Sequence, residues 1–229
     1  MSMTFDPYKL GSKDVAQAED VIMTNPTALN ELERYWTSLP RRLGVPSRAD
    51  LDPVAMGRQL EDSFILERVA PGVARVRVAG RNIGKLIGME PRGLPMTAIM
   101  LPASRAAMSN YIEAAFTTPA IVELPLTSPR AVGQPVLQGK ILLLPLRDDH
   151  GQVTRLLGVL VMSGRRGMGG RRFDISDVTA PRVDPVTGLT AVEGGRPART
   201  RPSLRVVTDP SDTQKAKDTP ALRLVVSNP

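Results

Sequence analysis

Residues 74–93, Ala74-Arg-Val-Arg-Val-Ala-Gly-Arg-Asn-Ile-Gly-Lys-Leu-Ile-Gly-Met-Glu-Pro-Arg-Gly93, decide how the rest of the chain is read. From Ala74 to Ala79 apolar side chains alternate with arginines, the period of a strand with one buried and one wet face. Gly80 ends the alternation. Asn82 is placed to cap the turn that follows, and Ile83, Leu86 and Ile87 then recur at helical spacing up to Gly88. Pro91 and Gly93 mark an irregular connector. A strand that drops into short helical turns punctuated by glycine forms one wall of a small cavity-forming module.

Four more strands complete a hairpin-rich pattern on either side of this centre. Ser63–Val69 precedes it across a Pro71-Gly72 turn, and three further strand candidates follow: Ala120–Leu126, Val136–Leu146 and Val153–Met162. Ile141-Leu-Leu-Leu144 is continuously apolar, as in a central strand covered on both faces, so Pro145 belongs at a strand end or bulge. Ser104 is positioned to cap a longer helix whose Met108, Tyr111, Ile112, Ala115 and Phe116 share a face. Upstream, Asn25-Pro26 starts a helix carrying Leu29, Leu32, Trp36 and Leu39 on one side. Because the whole stripe shares that face, Trp36 is read as an anchor and not as a ligand-stacking residue. Asp52-Pro53 starts another short helix over Val54–Leu60. The order predicts an α+β fold: a five-stranded antiparallel sheet with helices inserted after its second strand and an N-terminal helical cap.

Composition changes near Gly164. Residues 1–24 form a mixed, polar N-terminal extension, 25–164 the domain, and 165–229 a Pro-, Arg- and Gly-rich tail read as disordered. The net charge is +7, but from Arg165 onward 12 Lys and Arg stand against 7 Asp and Glu, so most of the basicity belongs to that tail. Two tail segments are near-repeats that follow a proline, Ser203-Leu-Arg-Val-Val207 and Ala221-Leu-Arg-Leu-Val-Val226. They read equally well as strand-adding docking peptides and as chance β-propensity.

Function classes narrow by elimination. With no cysteine, disulfides, thiolate metal sites, cysteine nucleophiles and cysteinyl-flavin adducts are excluded. The one histidine, His150, lies in an Arg-Asp-Asp-His-Gly turn, which disfavours a haem or zinc site and a hydrolytic triad. No run approaches the roughly 20 apolar residues of a membrane span, and the N-terminus has no secretory pattern, so a cytoplasmic protein is expected. Arg48 and Asp50 form either an anion site or, as is commoner for charged loop residues, bonds within the loop.

The order of elements resembles a PAS domain, and more narrowly a PAS-like family of alphaproteobacteria. The resemblance spans about residues 28–163 and rests on Tyr35-Trp36, on Pro46-Ser47-Arg48-Ala49-Asp50-Leu51-Asp52-Pro53, and on Gly80, Gly88, Gly93 and Gly158. It implies a bacterial sensory or regulatory module in signal transduction, not an enzyme, and it carries over no cofactor. The expected partner is a protein or a second copy in a homodimer, joined by a small hydrophobic ligand in a cavity lined by Ile83, Leu86, Ile87, Met96, Ile99, Met100 and Met108. The same seven residues suit a solid core equally well, and because methionine is a common gap-filler a filled core is the expected state. The alternative is a nucleic-acid-associated protein that uses the arginines at 165, 166, 171 and 172.

Overall fold

The computed structural model describes residues 21–23, 27–41 and 44–186. They form strands β1 (Val21–Met23), β2 (Ser63–Ala70), β3 (Val73–Ala79), β4 (Ala120–Ser128), β5 (Leu137–Arg147), β6 (Val153–Arg165), β7 (Asp174–Ile175) and β8 (Arg182–Pro185). The helices are α1 (Ala28–Ser38), α2 (Pro53–Met56), α3 (Arg81–Ile87) and α4 (Arg105–Thr117), with short 3₁₀ turns at Arg48–Asp50, Gly57–Glu61, Met96–Ile99 and Pro102–Ser104. All strands pair antiparallel in the order β3-β2-β6-β5-β4-β7, with β1 added to the far end of β6 and β8 beside β4. The five expected strands are β2 to β6, and helices enter after β3 as anticipated.

The period of two in β5 and β6 explains how one sheet serves two cores. Ile141 and Leu143 of β5, with Leu156, Leu160 and Met162 of β6, face the inserted helices α3 and α4. Leu142, Leu144 and Leu146, with Leu157, Val159 and Val161, face the other way, onto Ala28, Leu29, Leu32 and Trp36 of α1. The apolar run at 141–144 is therefore covered on both sides. Pro145 lies beyond the last β4–β5 pair, Val122 with Leu143, so its missing N–H breaks no ladder there. Its carbonyl accepts from the Trp36 indole Nε1 at 2.9 Å.

Several local expectations are corrected. The capping residue Asn25 lies outside the described residues; the first helix begins after Thr27. The helix expected over Val54–Leu60 is cut short by Gly57 at φ +54° and continues as a 3₁₀ turn, although Asp52 Oδ1 does cap it by accepting from Val54 N at 2.8 Å. Asn82 does not cap α3. Its Nδ2 donates to Asp62 at 2.9 Å, and Gly80 takes the cap position. Ser104 does not cap α4 either, because its hydroxyl donates to Asp174 Oδ1 and accepts from Ile175 N, both at 3.0 Å.

The largest correction concerns the boundary at Gly164. Residues 165–186, expected in a disordered tail, are part of the packed unit. Phe173 is fully buried, with its N–H on Ile99 O and its carbonyl taking Leu101 N. β7 and β8 extend the sheet beyond β4. The remainder of the expected tail, with both Leu-Arg segments, lies outside the described residues, as does most of the 1–24 extension.

Candidate functional site

The arginine-glycine segment has a structural use that its composition concealed. A helix leaves its last four carbonyls without intrahelical donors. In α3, Gly84 O takes Gly88 N, and the other three are served from residues 166–172: Lys85 O by Arg166 Nη1 at 2.9 Å, Leu86 O by Arg171 N at 2.9 Å, and Ile87 O by Arg172 Nη1 at 3.1 Å. The crossing is so close that a Cβ at Gly88, itself at φ +73°, would stand 2.7 Å from Gly170 Cα. Arg171 is wholly buried, and its guanidinium donates to the carbonyls of Ser128, Pro135 and Arg166. Burial without a carboxylate partner pushes its pKa below the ordinary guanidinium value. These arginines are spent on the fold.

The seven residues expected to line a cavity are brought together, but as core. Ile83, Leu86, Ile87, Met96, Ile99, Met100 and Met108 are each 5% exposed or less and join one continuous apolar cluster with α4 and the sheet. Of the expected motif residues, Tyr35, Trp36 and the 46–53 loop lie together around the C-terminal half of α1. The Tyr35 hydroxyl accepts from Asp52 N at 2.6 Å. Ser47 N donates to Asp50 Oδ2 at 3.1 Å while Ser47 Oγ accepts from Ala49 N at 3.2 Å, which closes the loop on itself. Pro46 O accepts from Arg147 N and Val45 O from Arg147 Nε, so the loop is fastened to the end of β5. Of the pair weighed as an anion site, Asp50 is thus consumed within its loop, and the Arg48 side chain is exposed without a partner among the described residues.

This loop, α2 and the 3₁₀ turn after it stand off the β2–β3 hairpin and leave a groove of about 320 Å³. Leu51, Pro53, Met56 and Leu60 line it from that segment and Phe64, Ile65, Val78, Ala79 and Leu157 from the sheet, with Ser63, Gly80 and the exposed Arg48 completing the lining. None of the seven expected cavity residues reaches it. Gly80 is required here by close approach, since a Cβ would collide with the carbonyl oxygens of Leu60 and Glu61. Phe64 covers Gly158 on the neighbouring strand, where a side chain would strike its ring. Below the groove Asp62 is 8% exposed, and burial pushes its carboxyl above the usual range, against the opposing hydrogen bond from Asn82 and in concert with Glu61 nearby. Gly80 and the 46–53 loop were legible in the sequence; Ile65, Val78 and Leu157 were not, because each reads as an ordinary strand residue.

Other charged groups are tied in pairs. Glu67 on β2 meets Arg77 and Arg155. Burial alone would raise its pKa, but the two guanidiniums outweigh this and hold it below the usual carboxylate value. Asp148 is held low by the Thr154 hydroxyl first, burial opposing, and by the Gln152 and His150 amides of the turn it closes. Among the described residues no three His, Asp or Glu side chains group as metal ligands.

No curated protein sequence matches this chain. Among solved structures it is similar to the light state of the blue-light photoreceptor Aureochrome1 LOV, at 18% identity over 46% of this chain and 83% of that one, TM-score 0.37. The dark state of the same photoreceptor gives 19% identity over 50% and 87%, TM-score 0.38. An RNA-binding Light-Oxygen-Voltage receptor gives 21% over 54% and 37%, TM-score 0.36. Family membership does not rest on these distant likenesses. The sequence profile described as PAS domain matches residues 23–161, more than half of the chain and the span that holds α1, strands β2 to β5 and most of β6; the chain belongs to the PAS domain family.

Proposed function

We propose that this chain is a non-catalytic PAS-type regulatory module that acts through protein contact, with the docking of α1 on the sheet as its variable. The observation that carries the reading is the second apolar face. Leu142, Leu144, Leu146, Leu157, Val159 and Val161 form a continuous sheet surface covered mainly by α1, with Met56 of α2 joining the same cluster and Leu51 and Val186 packed against it. α1 shares no ladder with the strands beneath it; it is held by side chains, by Trp36 Nε1 on Pro145 O, and by an ion pair from Glu33 to Arg182 of β8. When α1 lifts, the uncovered face is large, apolar and suited to a second copy or a partner protein.

In this role the chain works as a homodimer in the cytoplasm of a bacterium of the alphaproteobacterial kind it resembles. No helix among the described residues is long and apolar enough to cross a membrane. Without cysteine it forms no cysteinyl-flavin adduct. Nucleic-acid association through the basic tail would depend on residues beyond 186, since Arg166, Arg171 and Arg172 are already bonded to carbonyls.

The test is sedimentation of the full chain and of Trp36→Phe across a concentration series. Phe keeps most of the apolar contact and removes the indole donor from a buried carbonyl, a loss of about 1–3 kcal/mol. The undocked population rises roughly tenfold for each 1.4 kcal/mol, and dimerisation tightens with it. Circular dichroism separates this from unfolding. Folded monomers for both proteins at all concentrations would contradict the reading.

A further inference from the structure

We infer that the groove between the 46–62 segment and the β2–β3 hairpin binds a small amphipathic anion, an apolar body carrying one carboxylate. The inference rests on the regulatory reading for its purpose but not for its chemistry, and it moves the ligand site away from the seven buried residues of the interior.

The groove's size, about 320 Å³, is that of a single small molecule. Part of its lining is apolar and closed off from solvent, with Met56, Phe64 and Leu157 each at most 4% exposed. Its lips are apolar and open: Leu60 is 38% exposed and Val78 54%, although both are large aliphatic side chains. Such a surface gains by covering.

The sign of the ligand follows from how charge is used. Segment 46–62 holds four carboxylates, and each is committed within the fold. Asp50 accepts from Ser47 N, Asp52 from Val54 N, Glu61 from Arg81, and Asp62 from Asn82. The segment's two guanidiniums are not committed. Arg48 in the groove lining and Arg58, outside the lining on the turn that carries Leu60, are both exposed, with no side-chain hydrogen bond or ion pair to any described residue. The groove therefore pairs an apolar lining with a guanidinium, that of Arg48, which has no counter-ion among the described residues. A carboxylate beside it forms a charge-assisted, bidentate pair with guanidinium while its chain enters the groove. A neutral apolar molecule would forgo that pair, and a cationic one would be repelled.

The occupant is detectable without a label. Trp36 is the chain's one tryptophan, and its cluster includes Met56 and Leu157 of the groove lining. Three probes are titrated into the full chain with Trp36 emission and calorimetry as readouts: octanoate, 1-octanol with the same body and no charge, and acetate with the charge and no body. Octanoate is expected to bind one to one and shift the emission, 1-octanol to bind at least tenfold more weakly, and acetate to leave the signal unchanged. Arg48→Gln is expected to weaken octanoate five- to tenfold and leave 1-octanol unaffected. Arg48 has no partner to lose, so that variant keeps the urea midpoint. Val78→Trp, which fills the groove from an exposed edge position, abolishes both. Absence of octanoate binding, equal affinity for octanoate and 1-octanol, or unchanged octanoate affinity in Arg48→Gln or Val78→Trp would each overturn the assignment. The regulatory reading would survive any of these, because it is judged by sedimentation without ligand.

Discussion

Gly80 shows how a residue's role can be legible while its reason is not. The break it makes in the Ala74–Ala79 alternation is plain in the sequence, but its backbone is ordinary, at φ −69° and ψ 157°, and needs no glycine for its own sake. What excludes a side chain is the backbone of Leu60 and Glu61 crossing above it. Gly80→Ala should therefore lose about 3 kcal/mol, the upper part of the usual overpacking range, because backbone cannot step aside; the urea midpoint measures it. Arg171 was illegible. Arginine among glycines reads as solvated, and only the meeting of Ser128, Pro135 and Arg166 carbonyls makes a buried cation tenable. Arg171→Lys keeps the charge and loses the planar fork, and should cost about 2 kcal/mol. Glu67 and Asp148 set the acid limb of stability. Both have folded pKa values below their unfolded ones, so their contribution is present above the ordinary carboxylate range near pH 4 and is lost as pH falls through the folded values. Asp62 works in the opposite sense: its folded pKa is raised, so its cost is present at neutral pH and disappears in acid. Glu67→Gln and Asp148→Asn should thus lower the urea midpoint at pH 7 and converge on wild type near pH 2.

Among the elements, the strands were the most legible and the caps the least. A strand announces itself by its own side chains, as β5 does with alternate leucines for two cores. A cap depends on which polar group arrives first. Ser104 looks like the start of α4, yet its hydroxyl bonds Asp174 and Ile175, some 70 residues away in sequence. Residues 165–186 were misread for the same reason. Their glycines allow close crossing over α3, their arginines serve its free carbonyls, and neither property shows without the partner surface. Phe173 and Ile175, two residues apart and apolar, were the available signal. Ser104→Ala removes two hydrogen bonds that join β7 to α4 and should cost about 1–2 kcal/mol. Amide exchange at Ile175 and Ser176 should rise while the β5–β6 ladder stays protected; equal change in both would mean that the C-terminal segment opens only with the whole sheet.

For the molecule as a whole, the placement of apolar surface matters more than any one group. The interior between sheet and inserted helices is filled by the chain's own methionines and isoleucines, so the open apolar groove lies on the other side, beside the sheet face that α1 covers. The five-stranded α+β plan could be read from periodicity and turn residues. The location of the groove could not, because it arises where the 46–62 segment happens to stand off the hairpin. The central claim is that α1 is a separable cover. Hydrogen–deuterium exchange of the full chain tests it directly, by comparing the amides of Ala28–Ser38 with those of β5 and β6 under native conditions. If α1 docks and lifts as a unit, its amides exchange together through an opening several kcal/mol easier than global unfolding, while Leu142 to Leu146 remain protected in their ladder to β6. If α1 and the central strands exchange with one common opening energy, α1 is a fixed part of the core and the account is contradicted.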